Sequence, residues 1–222
     1  MTDAATPGGA LRRTLTAGGV LLIASAVASV AAPMLVMSNV PLTTVVYWAG
    51  TIAFSAALVV FAFGLGRPGS VVARQPLATG AAVLLAAWPF VGRALTAVLP
   101  YEQGTAEFYT AWGYASAAVE IAAAILVVVQ IARAGIVTGR VRWAPLWALA
   151  AVVVPQVLAQ LLVVALRIDL SATEDDGVFL LIGLGQLATL AAPIVLGILA
   201  LLVAGRRVTA DLPPVQVFPP AG

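Results

Sequence analysis

The stretch Gly177–Ala204, GVFLLIGLGQLATLAAPIVLGILALLVA, holds no charged residue; Glu174-Asp175-Asp176 precede it and Arg206-Arg207 follow it. An α-helix needs about 20 consecutive apolar residues to cross the hydrocarbon core of a bilayer, and this run is longer. Its flanks set a direction, because Arg and Lys concentrate on the cytoplasmic side of membrane helices. The stretch therefore reads as a transmembrane helix that enters from outside and ends in the cytoplasm.

Working back toward the N-terminus, five more apolar runs have the required length: Ala17–Met37, Thr43–Leu65, Pro76–Val98, Glu107–Ala132 and Ala144–Arg167, each bounded by Gly, Pro or charge. The connections are short, so successive helices run antiparallel and no connection holds a soluble domain. The expected fold class is all-α, a polytopic membrane bundle of six transmembrane helices. Composition agrees: the chain is 62% hydrophobic and 9% charged, with a mean hydropathy of +1.08, whereas soluble domains are about a quarter charged.

Charge placement gives an independent check on the helix count. Arg12 and Arg13, Arg67 and Arg74, Arg133, Arg140 and Arg142, and Arg206 and Arg207 all fall at one end of the six runs. The other end carries Glu102, Glu107, Asp169, Glu174, Asp175 and Asp176, with Arg167 its one basic residue. A wrong count would scramble this alternation. It places both termini in the cytoplasm and the protein in a bacterial inner membrane, the Ala-, Val- and Arg-rich, Lys-free usage being that of a GC-rich genome. Tyr47, Trp48, Tyr101, Tyr109 and Trp112 fall at outer span ends and Trp143 and Trp147 at an inner end, as interfacial aromatics do; Trp88 is mid-span.

The first run is too long for the 7–15-residue core of a cleaved signal peptide, and Pro33 follows the best cleavage site, so it is expected to remain as a helix. Residues 1–16, with Pro7-Gly8-Gly9, are expected to be disordered, residues 17–207 to form the membrane domain, and residues 208–222, with Pro213-Pro214 and Pro219-Pro220, to form a disordered cytoplasmic tail.

The missing residue types exclude much chemistry. There is no Cys and no His, and all basic residues are Arg. Thiolate or imidazole metal sites, Ser-His catalysis and Lys Schiff bases are therefore absent. No G-x-S-x-G occurs. The expectation is a non-enzyme without a cofactor or metal, whose partner is the lipid bilayer, with a membrane protein partner or a second copy as the alternative and nucleic acid excluded.

Ionisable groups within membrane spans are costly, and they mark function by default. Glu120 lies thirteen residues beyond Glu107, about 20 Å below the surface at 1.5 Å per residue. Tyr109, Gly113 and Ser116 share its face; it reads either as a proton- or cation-coupling carboxylate or as a neutral side chain hydrogen-bonded to a neighbouring helix. Arg93 lies about two turns below Pro100 and is expected to pair with Glu102 or Glu107 or to bind an anion. Gln156 and Gln160 share a face of the fifth run, which Arg167 extends, and Gln186, Thr189 and Pro193 share one on the sixth. Glutamines in lipid act as glue between helices or line a cavity. Pro33, Pro89, Pro155 and Pro193 lie within the runs, where proline frees a carbonyl and bends a helix. Ala24, Ala28 and Ala32 offer a small-residue stripe for close packing. Together these features suggest a small permease with a polar cavity in the outer half, or a non-catalytic subunit such as the substrate-binding part of a larger transporter.

Overall fold

The computed structural model describes residues 7–37, 42–65, 69–72, 75–99, 106–134, 143–166 and 176–210. They form six helices: α1 Pro7–Met37, α2 Thr43–Phe63, α3 Pro76–Val98, α4 Ala106–Ala134, α5 Ala144–Leu166 and α6 Asp176–Ala210. No strand occurs among the described residues. All six helices are long and apolar enough to cross a membrane. This is the architecture of a multi-pass membrane protein. Pro33, Pro89, Pro155 and Pro193 all sit inside continuous helices.

Each helix packs on the next in sequence, and α6 returns to pack on α1, so the helices form a ring. The α4–α5 seam is the sparsest. The starts of α1 and α3 meet the ends of α2, α4 and α6 in two adjoining apolar clusters. One joins Leu11, Leu15, Val71 and Ala204, with Phe61, Ile131 and Val203 against them. The other joins Ala62, Val72, Ala78 and Ala82, with Val127 and Ile131. The end of the bundle that carries the start of α1 and the end of α6, the terminal end, is therefore its packed end.

The α2–α3 connection completes this seal. Gly64 takes φ 73°, which lets the chain reverse under the bundle. Val71 N–H then donates to Phe61 O at 3.0 Å, Ser70 Oγ donates to Ala62 O, and Val72 is almost fully buried. Thr14 on α1 ties the turn in place: Leu65 N–H donates to Thr14 Oγ1 at 2.8 Å, and that hydroxyl donates to Ala10 O at 3.0 Å. A connection buried in this way has to satisfy its own polar groups, and Thr14 and Ser70 do so. Pro76 opens α3, where its missing N–H costs nothing.

Residues 1–16 were expected to be disordered, yet α1 begins at Pro7, and Ala10, Leu11, Thr14 and Leu15 are buried. The reason is tertiary. Leu11 and Leu15 continue the apolar run past Arg12 and Arg13, and they pack against Val71 and Ala204 in the seal. The start of the C-terminal tail is likewise helical as far as Ala210; its Pro pairs lie outside the described residues, as do Ser38–Pro41, Arg67, Arg74, Pro100–Gly104, Arg140, Arg142, Arg167 and Glu174-Asp175.

Small residues set the helix spacing around α1. A Cβ at Gly19 would meet Gly197 O of α6 at 2.8 Å, and the reciprocal Cβ at Gly197 would meet Gly19 O at 2.8 Å. On the other flank, a Cβ at Gly50 of α2 would meet Ala28 Cβ at 3.0 Å. Of the alanine stripe, Ala28 is thus spent within the bundle and Ala32 is buried, while Ala24 stays exposed.

Candidate functional site

Burial stops partway along the bundle. Among the described residues, α3 has none buried beyond Ala86, and α4 has none before Ala123. The half of the ring opposite the termini, called here the far half, is therefore loosely packed on this side, and the candidate residues of α3 and α4 lie in it.

Glu120 shares the helical face of α4 that points into the core at the packed end. α4 contains no proline, so bearings can be carried along its length. At 3.6 residues per turn, Val127 and Ile131 lie within about 20° of the Glu120 bearing, and both pack into the sealed core. The buried Ala123 and Val128 fall about 60° to one side of Glu120 and about 80° to the other. Glu120 occupies the middle of the arc that points inward at the packed end, and it is nonetheless exposed.

A directed hydrogen-bond chain ends on this carboxylate. Trp88 Nε1–H on α3 donates to Ser116 Oγ at 2.7 Å, and Ser116 Oγ donates to Glu120 Oε1 at 3.0 Å. Indole is a donor only, while a hydroxyl has one proton to give. The Trp88 contact therefore commits the Ser116 proton to Glu120. The second carboxylate oxygen has no hydrogen-bond partner among the described residues. Trp88 is held by Trp112, whose ring stacks on it at 5.8 Å and 13°.

Arg93 is placed on the other side of α3. Its guanidinium lies over Tyr47, 4.6 Å from the ring centroid, and 5.8 Å from that of Trp48. Trp48 in turn stacks on Phe90 at 5.8 Å. Among the described residues Arg93 forms no ion pair, with Glu107 or with Glu120; Glu102 lies outside them. Among the described residues the partners of Arg93 are thus aromatic faces, a contact worth about 0.5–2 kcal/mol depending on desolvation.

The glutamines form a separate group. The Gln156 side chain leans over α6, where a Cβ at Gly185 would meet Gln156 Cγ at 3.0 Å. Thr189 Oγ1 donates to Gly185 O at 2.8 Å. Gln156, Gln160 and Gln186 are exposed, and none has a hydrogen-bond partner among the described residues. The structure thus brings Glu120 together with Ser116, Trp88 and Trp112, brings Arg93 together with Tyr47 and Trp48, and sets Gln156 against α6. It does not join these three groups by direct contact.

Trp88 is the residue that sequence reasoning left unused. Its signal was its position: it is the one tryptophan away from the span ends, and a mid-membrane indole N–H needs an acceptor. Ser116 was on the Glu120 face by helical spacing, but its partner on α3 could not be read from α4.

Among the described residues, no group of three or more Asp or Glu is placed to hold a metal ion. Two surface grooves, of about 820 Å³ beside Arg12 and Arg13 and about 380 Å³ between Phe63 and Val83, are lined by none of the candidate residues. No protein-family model, curated protein or solved structure matches this chain, so the reading of its function rests on geometry.

Proposed function

We propose that this chain is a small permease-like membrane protein, and that Glu120 is the ligand for a cationic solute or a coupling proton entering through the far half. The termini then lie in the cytoplasm and the far half faces outward, a reading supported by the arginines at the terminal end of the runs.

The observation that carries the proposal is the Trp88–Ser116–Glu120 chain on the inward arc of α4. A carboxylate at membrane depth is expensive unless it is paired or faces water. Here one oxygen is held by a positioned donor and the other is left to a ligand. Placing it above a sealed end gives a site with one entrance, the arrangement of a transporter in one of its access states. The mid-helix prolines of α3, α5 and α6 add bends in the helices around the open half.

The test is reconstitution into liposomes, with uptake of monovalent and organic cations measured with and without a pH gradient. Glu120→Gln keeps the shape and the acceptor for Ser116 but removes the titrating group. Wild-type flux that is pH-coupled and lost in Glu120→Gln supports the proposal. Identical flux in the two proteins, or none for any solute in either, refutes it.

The sparse α4–α5 seam favours a second reading, a membrane subunit whose partner helix inserts there. Purification in mild detergent as a lone chain would count against it.

A further inference from the structure

The groove beside α1 lies far from Glu120, and it has a polarity of its own. Its lining includes Arg12, Arg13 and Thr16 near the start of α1 and Ala17, Val20 and Leu21 further along it, with Leu65 of the α2–α3 connection alongside. It occupies the face of α1 turned away from the core: on a helical projection Val20 sits about 180° from the buried Leu11. Arg12, Arg13, Thr16 and Val20 are all exposed, and among the described residues neither arginine has an ion-pair partner.

The division between the polar and apolar ends falls where a bilayer would place it. α1 has 31 residues and is about 46 Å long, which exceeds the hydrocarbon thickness of about 30 Å. Measured down from its far end at Met37, the hydrocarbon stops near Ala17. Arg12, Arg13 and Thr16 then lie at headgroup depth, and Val20 and Leu21 lie alongside the acyl chains. Two adjacent guanidinium groups and a hydroxyl offer several donors to phosphate oxygens, Arg being suited to bidentate contact.

From this arrangement we infer that the groove is a binding site for one anionic phospholipid of the leaflet at the terminal end. Arg12, Arg13 and Thr16 hold the headgroup phosphate, and the Val20–Leu21 wall receives the upper acyl chain. Charge complementarity selects an anionic lipid over a zwitterionic one, because a phosphocholine brings its own cation to the same two arginines. This site is independent of the permease reading.

The experiment is native mass spectrometry of the full chain released from mixed phosphatidylglycerol and phosphatidylcholine, with three variants. Wild type retains phosphatidylglycerol in preference to phosphatidylcholine, and millimolar inorganic phosphate does not displace it. Arg12→Gln with Arg13→Gln lowers that preference by roughly thirtyfold, the attraction of two basic residues for an anionic surface. Val20→Trp keeps both charges but fills the apolar wall, and it also loses the lipid. Arg133→Gln, an exposed arginine at the same end but outside the groove, retains it. Equal loss in Arg133→Gln, retention in Val20→Trp, displacement by free phosphate, or no lipid preference in wild type would each overturn the inference.

Discussion

Gly64 is the position where one methyl group should undo the seal. Its φ of 73° and ψ of 157° fall in a region that is essentially glycine-only, where another residue costs about 1–3 kcal/mol. The Cβ of Gly64→Ala would also overlap the backbone of Gly69 and Ser70. Backbone cannot rotate aside as a side chain can, and forcing such overlap costs a further 1–3 kcal/mol or so. The combined destabilisation is about 2–6 kcal/mol, a large share of the roughly 5–15 kcal/mol that holds a domain together. Gly80→Ala is the matched control. It lies within α3, where an added Cβ meets nothing within 4 Å, and the change should stabilise by about 0.5–1 kcal/mol. The assay is thermal unfolding in one detergent, read by circular dichroism, with hydrogen exchange of the Val71 amide as a local report. Gly64→Ala should unfold earlier and lose protection at Val71, whose N–H donates to Phe61 O; Gly80→Ala should do neither. If Gly64→Ala melts with wild type, or the two variants shift together, the tucked connection is not what closes this end.

Three other outcomes follow from the same geometry. Ser116→Ala should remove the acceptor of Trp88 and the donor to Glu120 together, costing about 1–3 kcal/mol if the indole N–H is left unpaired; the Trp88 indole proton, assigned through Trp88→Phe in a nitrogen-15 NMR spectrum, should move, and an unmoved resonance would contradict the contact. Arg93→Met and Tyr47→Leu should each destabilise slightly, and their double-mutant cycle should give a coupling of about 0.5–1 kcal/mol; zero coupling would mean the guanidinium does not rest on the ring. Gly19→Leu should push α1 from α6, because its Cβ would meet Gly197 O at 2.8 Å, costing about 1–3 kcal/mol; a cysteine pair across this seam that crosslinks equally well in both backgrounds would refute it.

The span boundaries show what kind of information a membrane sequence carries. The runs Thr43–Leu65, Pro76–Val98 and Ala144–Arg167 end within two residues of α2, α3 and α5. That agreement has a simple cause: lipid requires each backbone polar group to be satisfied within its own helix, so length and apolarity alone define the element. The first run shows the limit of that logic. Residues 7–16 carry Pro, Gly and two Arg, which mask the apolar stretch that reaches back to Gly8. They are helical because Leu11 and Leu15 meet Val71 and Ala204, residues far away in the chain.

The candidate site divides in the same way. That Glu120 is deep, and that Ser116 shares its face, follows from counting residues along one helix. Which neighbour supplies the next hydrogen bond depends on how α3 is rotated against α4, and helices that are apolar all round carry no amphipathic pattern to reveal rotation. The pairing of Arg93 with Tyr47 and Trp48 was hidden for the same reason. Charge alone suggested a carboxylate; the α2–α3 seam, where Ser55 Oγ donates to Ala86 O at 2.7 Å, brings aromatic rings to Arg93 as well. By itself, then, the sequence determined six helices, the extents of α2 to α5 and a carboxylate deep within its run, because the bilayer constrains each span separately. Tertiary structure alone decided the sealed end, the open half around Glu120 and the partners of Trp88 and Arg93, because those depend on the rotation and spacing of helices, which glycines such as Gly19, Gly50 and Gly197 set by how closely two backbones can approach.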